Sequence, residues 1–373
     1  MNDATTSGDA LVALFEGEGY RLTEPPVLQP AELFLDLSGE DMRRRMFITQ
    51  DAAGTELCLR PEYTIPVCRV HLSAGAALPA AYCYRGPVFR LRAGETGEFM
   101  QAGVESIGRD DAAAADAEIL ALALDGLSRL DVGPVSVRLG DVGLLEAVID
   151  ALSVPPALKG RLVRDVVSGR AASALAAPAQ AAPEVEHAGL LAAIEGQDPQ
   201  AARAFVEDVL SIAGISTVGG RSAGDIAERF LARAAQRAGA LSDEARMVLR
   251  RYLAIAGDPD DAGSQIRDLA RDASLDIEAA LKIYEERAGF LAARGVDLSA
   301  LRFRADFARN LDYYTGFIFE IVRADDAEAK PLVGGGRYDR LLTHLDRSAS
   351  APAVGCSFWL DRIAALETSG GAA

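Results

Sequence analysis

Two strand-rich segments stand on either side of a long helical stretch, and this arrangement limits the chain more than any other feature. From Gly143 to about Gly295 apolar residues recur at helical spacing almost throughout, with no ligand-like constellation among them. Before that stretch, short or alternating apolar runs predict strands at Tyr20–Leu28, Met46–Thr49, Leu57–Arg60, Ala81–Val88, Phe99–Ile107 and Ser136–Leu139. After it come Arg302–Phe307, Phe317–Val322 and Ala353–Trp359. Strand and helix do not alternate as they would in a doubly wound sheet. The expected fold is α+β, an antiparallel sheet flanked by helices. Residues 1–142 and 298–373 would form the core, and 143–297 a mainly helical inserted domain.

Local signals fill in the frame. Leu11, Val12, Leu14 and Phe15 give Ala10–Glu18 a helical face, closed by Gly17 and Gly19. Pro25 and Pro26 interrupt the first strand, which marks it as an edge or a pairing element. A short helix and turn are expected over Pro30–Glu40, and Asp51–Gly54 reads as a hairpin connection. Pro61-Glu62-Tyr63-Thr64 breaks a strand before a helix over Ile65–Leu72, with Thr64 or Glu62 placed to cap it. Helices are also expected over Ala112–Leu130, around Tyr338–Leu345 and over Leu360–Glu367. Ser222, Ser242 and Ser274 stand as N-caps before Ala223–Ala238, Asp243–Ala256 and Leu275–Ala293. The Ala/Pro stretch Ala171–Ala193 reads as a loose connection.

The 373 residues suffice for two or three domains, and 50% hydrophobic with 25% charged residues is a soluble globular composition. No run approaches the ~20 apolar residues of a membrane helix. Met1–Ala10 carries no basic-then-apolar export pattern, so a cytoplasmic protein is expected. Cys58, Cys68, Cys83 and Cys356 show no CxxC spacing and read as reduced core thiols. No metal centre and no cofactor are expected. A net charge of −17 argues against a nucleic-acid partner, since polyanions are held mainly by Lys and Arg. Arg43-Arg44-Arg45, the one dense basic run, reads as a solvated turn before a strand.

Chemistry concentrates in two places. Arg309-Asn310-Leu311-Asp312-Tyr313-Tyr314-Thr315-Gly316 puts charges and two tyrosines directly before the apolar strand, and Gly334-Gly335-Gly336-Arg337-Tyr338-Asp339 follows. Three glycines let backbone or ligand approach closely. The pair reads either as a hairpin lining a small polar pocket or as a tight turn with ordinary cross-strand aromatics. In Phe99–Ile107, alternation sets Gln101, Gly103 and Glu105 on one strand face, opposite Met100, Ala102 and Val104. Such a face either meets a polar ligand or is simply wet.

Taken together, these residues resemble the catalytic domain of a class II aminoacyl-tRNA synthetase, specifically the histidyl enzyme, over about residues 10–367. Leu59-Arg60-Pro61-Glu62-Tyr63-Thr64 is similar to that family's LRPE-x-T motif. Phe89-Arg90 resembles the arginine of its second motif, and Arg362 that of its third. Gln101 and Glu105 fall on its amino-acid-binding strand. Arg309–Glu320 resembles the histidine-specific RGLDYYTG-x-x-FE motif, with Asn310 for the usual Gly, and Gly334–Asp339 its GGGRYD partner.

Departures from that pattern redirect the expected function. The stretch after Arg362 is too short for the family's anticodon-binding domain. The loop after Arg90 lacks the GR-x-R segment, Arg92 replaces a glutamate, and Trp359 replaces a glycine where a nucleotide must approach. Losing preorganised cations around phosphates would cost several powers of ten in adenylate formation. The histidine side is thus kept and the ATP and tRNA side damaged. The same split is seen in the family of ATP phosphoribosyltransferase regulatory subunits. That resemblance implies assembly with the short catalytic phosphoribosyltransferase subunit at the first step of histidine biosynthesis, and feedback by L-histidine.

It also implies a homodimer within a hetero-oligomer, joined near Pro25, and a histidine site. There Glu62 and Glu105 would balance the ammonium, with Thr64 and Gln101 adding neutral hydrogen bonds, and Arg90 and Arg309 would face the carboxylate. Tyr313 and Tyr314 would point to opposite sides of an extended backbone, so that one reaches the imidazole. No catalytic residue is expected. Two alternatives remain: a stand-alone histidine-activating, adenylate-forming enzyme, and a histidine-sensing module acting on another partner.

Overall fold

The computed structural model describes residues 4–35, 44–91, 94, 96–152, 154, 156–170, 175, 241–309, 313–325 and 330–370. Its centre is a nine-stranded sheet in the order β1-β5-β6-β12-β11-β10-β7-β9-β8. In chain order these strands are β1 (Arg21–Leu22), β5 (Ala80–Phe89), β6 (Glu98–Ile107), β7 (Val135–Asp141), β8 (Ala256–Gly257), β9 (Leu301–Arg304), β10 (Phe317–Arg323), β11 (Val333–Arg337) and β12 (Ala353–Trp359). β2 (Leu28–Pro30), β3 (Ile48–Gln50) and β4 (Glu56–Leu59) form a small separate sheet, with β4 in the middle. The run from β5 to β7 is antiparallel throughout, as expected. The sheet is nonetheless mixed, because β1 joins β5 and β9 joins β7 in parallel.

One sheet face is apolar and helix-covered. Ala102 and Val104 of β6, Cys356 and Phe358 of β12, and Phe319 and Ile321 of β10 pack in one cluster with α1 (Ala4–Gly17) and α3 (Ala112–Arg129). Leu11, Phe15, Ile119 and Leu120 supply the helical side of that core. The other face is covered by α2 (Thr64–Ala74), α9 (Leu341–Leu345) and the small sheet, through Tyr63, Ile65, Tyr82, Tyr84, Tyr338 and Leu341. Strand β6 is therefore buried on both sides, and the wet-face reading of Gln101–Glu105 does not hold: both side chains are 1% exposed.

Helix limits follow their caps. Ser242 accepts a hydrogen bond from the Ala245 amide at 3.0 Å and starts α6 (Asp243–Leu253) as the sequence predicts. Ser274 does not start a helix. Its φ of 52° and the Leu275 amide bond to the Ala270 carbonyl close α7 (Pro259–Asp272), and α8 (Glu278–Ala293) begins four residues later. Asp141, the last residue of β7, caps α4 (Val142–Ala151), which is followed by α5 (Pro156–Val167). The expected helix Ala223–Ala238, its cap Ser222 and nearly all of Ala171–Ala193 lie outside the described residues.

The flanks of the 143–297 stretch are tied to the sheet. β8 pairs antiparallel with β9, and α8 packs on α3. Beneath α8, Arg287 reaches Asp116 at 3.1 Å and Asp141 at 2.5 Å. Asp116 also takes two bonds from Arg337, at 2.8 and 2.7 Å. Arg337 in turn holds Asp339, whose carboxylate accepts the Ala353 amide. All four cysteines are buried and unbridged. Arg44 and Arg45 are exposed in a turn before β3, and no described helix is long and apolar enough to cross a membrane.

Candidate functional site

The site lies on the second face, where strand register assembles it. One row across the sheet reads Tyr82, Glu105, Gly355, Gly336, Ile318. The next reads Tyr84, Gly103, Ser357, Gly334, Glu320, and a third places Gly86, Gln101 and Trp359 side by side. Directly paired residues project to the same side, so Gly103, Gly334, Gly336 and Gly355 form a floor ringed by polar side chains. The floor is needed. A Cβ on Gly355 would stand 1.8 Å from Glu105 Oε2, and one on Gly334 would stand 2.0 Å from Arg309 Nη1. On Gly103 it would meet the Cys356 carbonyl at 2.2 Å.

Two carboxylates mark the acidic end. Glu62 accepts the Thr64 amide at 2.6 Å and the Ile65 amide at 2.9 Å, so it caps α2 through the helix's unpaired amides. Of the two capping choices open in the sequence, the fold takes Glu62. The freed Thr64 hydroxyl donates to Glu105 at 2.7 Å. Glu105 also accepts the Tyr338 hydroxyl. Burial pushes the Glu105 carboxyl up to about 8, against the hydrogen bonds from Tyr338 and Thr64, and the neighbouring Glu62 pushes it further. Burial likewise raises Glu62, opposed by its backbone hydrogen bonds and by Arg90. Two buried carboxyls with raised proton affinity suit a small cation.

The basic end is Arg309. Its Nε lies 3.4 Å from Glu320, and its guanidinium sits 5.8 Å from the Tyr314 ring centre and 5.6 Å from that of Trp359. Its Nη1 is buried with no hydrogen-bond partner, as are Gln101 Oε1 and Trp359 Nε1. Native interiors rarely leave such atoms unsatisfied, and three of them fall on this one patch. Arg90 lies on the Glu62 side, donating to the Pro61 carbonyl at 2.6 Å with its guanidinium 5.6 Å from the centre of Phe99. Arg362 donates to the Pro331 carbonyl and packs 4.7 Å from the centre of the Trp359 indole.

The two tyrosines depart from expectation. Tyr313 and Tyr314 precede β10 in irregular backbone rather than extended strand, so their rings lie together, 5.0 Å apart. Tyr313 also meets Tyr338 edge-on at 5.9 Å. Glu62 and Glu105 both act on the two phenols, which burial raises first. All eight residues singled out in the sequence, Glu62, Thr64, Arg90, Gln101, Glu105, Arg309, Tyr313 and Tyr314, are thus within the described structure. Arg92, Asn310 and Asp312 lie outside it.

Sequence reasoning missed three partners. Tyr338 holds Glu105, Glu320 holds Arg309, and Ser357 meets the Tyr84 hydroxyl at 2.6 Å. Tyr338 and Glu320 sit inside the motifs already noted; a period-2 count from Gly334 and Gly336 reaches Tyr338, and Glu320 lies opposite Gly334 on the neighbouring strand. Ser357 had no such signal. Arg60 of the same motif is a structural strut: it donates to the carbonyls of Pro25 and Pro87 and to the Tyr63 hydroxyl.

Comparison with known proteins places this geometry. A family model described as histidyl-tRNA synthetase matches residues 2–218 and 204–363. A solved structure described as an ATP phosphoribosyltransferase regulatory subunit/histidyl-tRNA synthetase from Bacillus halodurans C superposes with a TM-score of 0.68. It is 22% identical, and the match covers 97% of this chain and 78% of that one. Histidyl-tRNA synthetase from Nostoc sp. PCC 7120 gives 0.66 at 16% identity, over 99% and 72% of the two chains. These likenesses show the class II fold. Among curated sequences, the ATP phosphoribosyltransferase regulatory subunit of Mesorhizobium japonicum is 42% identical over 360 residues, covering 95% of this chain and 96% of that protein. That of Brucella canis is 40% identical over 350 residues, covering 92% and 93%. A glycine-floored synthetase-type pocket and this near full-length identity lead to one assignment: the chain belongs to the family of ATP phosphoribosyltransferase regulatory subunits.

Proposed function

We propose that the chain is a non-catalytic regulatory subunit that joins the short-form catalytic ATP phosphoribosyltransferase at the first step of histidine biosynthesis. In this reading L-histidine is the effector and occupies the glycine-floored pocket. One observation carries it: a buried, cation-seeking carboxyl pair stands across the floor from a guanidinium with an unused donor. The ammonium goes to Glu105 and Glu62, the carboxylate to Arg309, and the imidazole to the tyrosine cluster of 313, 314 and 338. Regulation then requires that histidine bind two states of the complex unequally. The subunit pairs with itself near Pro25, between β1, an open edge of the large sheet, and β2, a stretch in which Leu22, Val27 and Leu28 are exposed.

The deciding experiment is a calorimetric titration of L-histidine into the isolated protein and into its complex with the phosphoribosyltransferase. Micromolar binding to the protein alone, lost in Glu105→Ala, supports the pocket reading. Binding that needs the partner and survives Glu105→Ala moves the effector to the subunit interface. Histidine-dependent exchange of pyrophosphate into ATP would restore the adenylate-forming alternative; none is expected.

A further inference from the structure

We propose that Trp359 is a binding residue, its indole N–H acting with Arg309 Nη1 to grip a free carboxylate beside Gln101. Three buried polar atoms here have no partner: two donors, Trp359 Nε1 and Arg309 Nη1, and one acceptor, Gln101 Oε1. They belong to side chains that register and packing bring together. Gln101 faces Trp359 across the β6–β12 ladder, and the Arg309 guanidinium lies against Gly334 and 5.6 Å from the centre of the indole. Trp359 is 7% exposed and Gln101 1%, so neither atom is served by bulk water. A buried donor left unmade is costly, and it persists where an incoming group completes it.

The chemistry of the missing group follows from the donor set. Two N–H donors, one of them cationic, fit an anionic oxygen pair, and the Gln101 carbonyl takes an N–H of the same ligand. Arg362 lies 4.7 Å from the centre of the same indole, so two guanidiniums pack against Trp359 and restrain it. Trp359 is itself buried, which leaves little room beyond the group it meets. The carboxylate it receives must be free, with nothing large attached to either oxygen. This inference rests on the pocket reading above, and it adds the residue that tells an amino acid from the corresponding amine.

The chain has a single tryptophan, so its indole N–H gives one resonance, readable without mutation. In a ¹H–¹⁵N spectrum of the full chain, saturating L-histidine is expected to move that resonance downfield, whereas saturating histamine, which lacks the carboxylate, leaves it in place. Trp359→Phe keeps the ring and removes the donor. It is expected to weaken L-histidine about tenfold, the size of one hydrogen bond to a charged group, and histamine less than twofold. An indole resonance that stays put under saturating L-histidine overturns the inference and leaves the pocket reading intact. Equal weakening of both ligands by Trp359→Phe overturns it too. A wild-type protein and complex that bind no L-histidine overturn the pocket reading and this inference with it. The spectrum decides the matter should Trp359→Phe fail to fold.

Discussion

The protein buries two clusters of charge, and they are finished to different degrees. Under α8, Asp116, Asp141, Arg287 and Arg337 alternate in sign, and each carboxylate meets a guanidinium within 3.1 Å. On the other sheet face, Glu62 and Glu105 are held by hydrogen bonds from backbone amides, Thr64 and Tyr338, while Arg309 Nη1, Gln101 Oε1 and Trp359 Nε1 have no hydrogen-bond partner. Both regions bear the desolvation cost of burial, but the second leaves two donors and an acceptor unmet. A closed network fixes elements in place. An open one leaves affinity to be taken up by a ligand.

The comparison breaks most sharply at Arg287. Arg287→Met leaves Asp116 and Asp141 short of a cation and should lower the unfolding free energy by about 3–5 kcal/mol, read by urea denaturation. A loss below about 1 kcal/mol would mean that the two clusters do not differ. The counterpart is Glu105→Gln. A carboxyl whose folded value lies above its ordinary 4.5 stabilises the fold while protonated. Its contribution is whole below about 4.5 and is lost as the pH climbs through about 8. Wild-type stability should therefore fall between those limits by on the order of a few kcal/mol, and Glu105→Gln should flatten that part of the curve. An unchanged slope in the variant would remove Glu105 as the proton holder.

Smaller effects sharpen the contrast. Gly355→Ala forces a methyl onto Glu105 and the β6 backbone, with an expected cost of about 1–3 kcal/mol and complete loss of histidine binding. Retained binding would show that the floor has room to spare. Ser242→Ala, remote from both clusters, should cost about 1 kcal/mol through the α6 cap and leave ligand affinity unchanged, as measured by paired melting and calorimetry.

What could be read in the sequence divides along a similar line. Strand β12 ends where the alternation predicts, and Ser242 caps where expected, because both depend on near neighbours. The polar face of β6 was legible as a pattern, but its burial depended on the tyrosines of β5 and on α2. Ser274 misled because one short polar residue suits the end of a helix as well as its start; only its left-handed φ of 52° tells them apart. The tie from Arg287 to Asp116 spans 171 positions and carries no periodic mark. The side-by-side tyrosines escaped because strand geometry was assumed for backbone that is still turning.

The order of strands has one more consequence, for synthesis. β12 is the last of the described strands, yet it sits mid-sheet, between β6 and β11. Tyr84 and Ser357, which meet over the pocket, lie 273 positions apart. While a ribosome makes the chain, β6 therefore waits with one edge unpaired until β12 has emerged. Non-local pairings of this kind are slow to form and exposed to misassociation meanwhile. On the pocket reading proposed above, the site is incomplete until β12 slots home, so a truncated product lacking that strand is an empty sheet half with a sticky edge, and a natural target for chaperones.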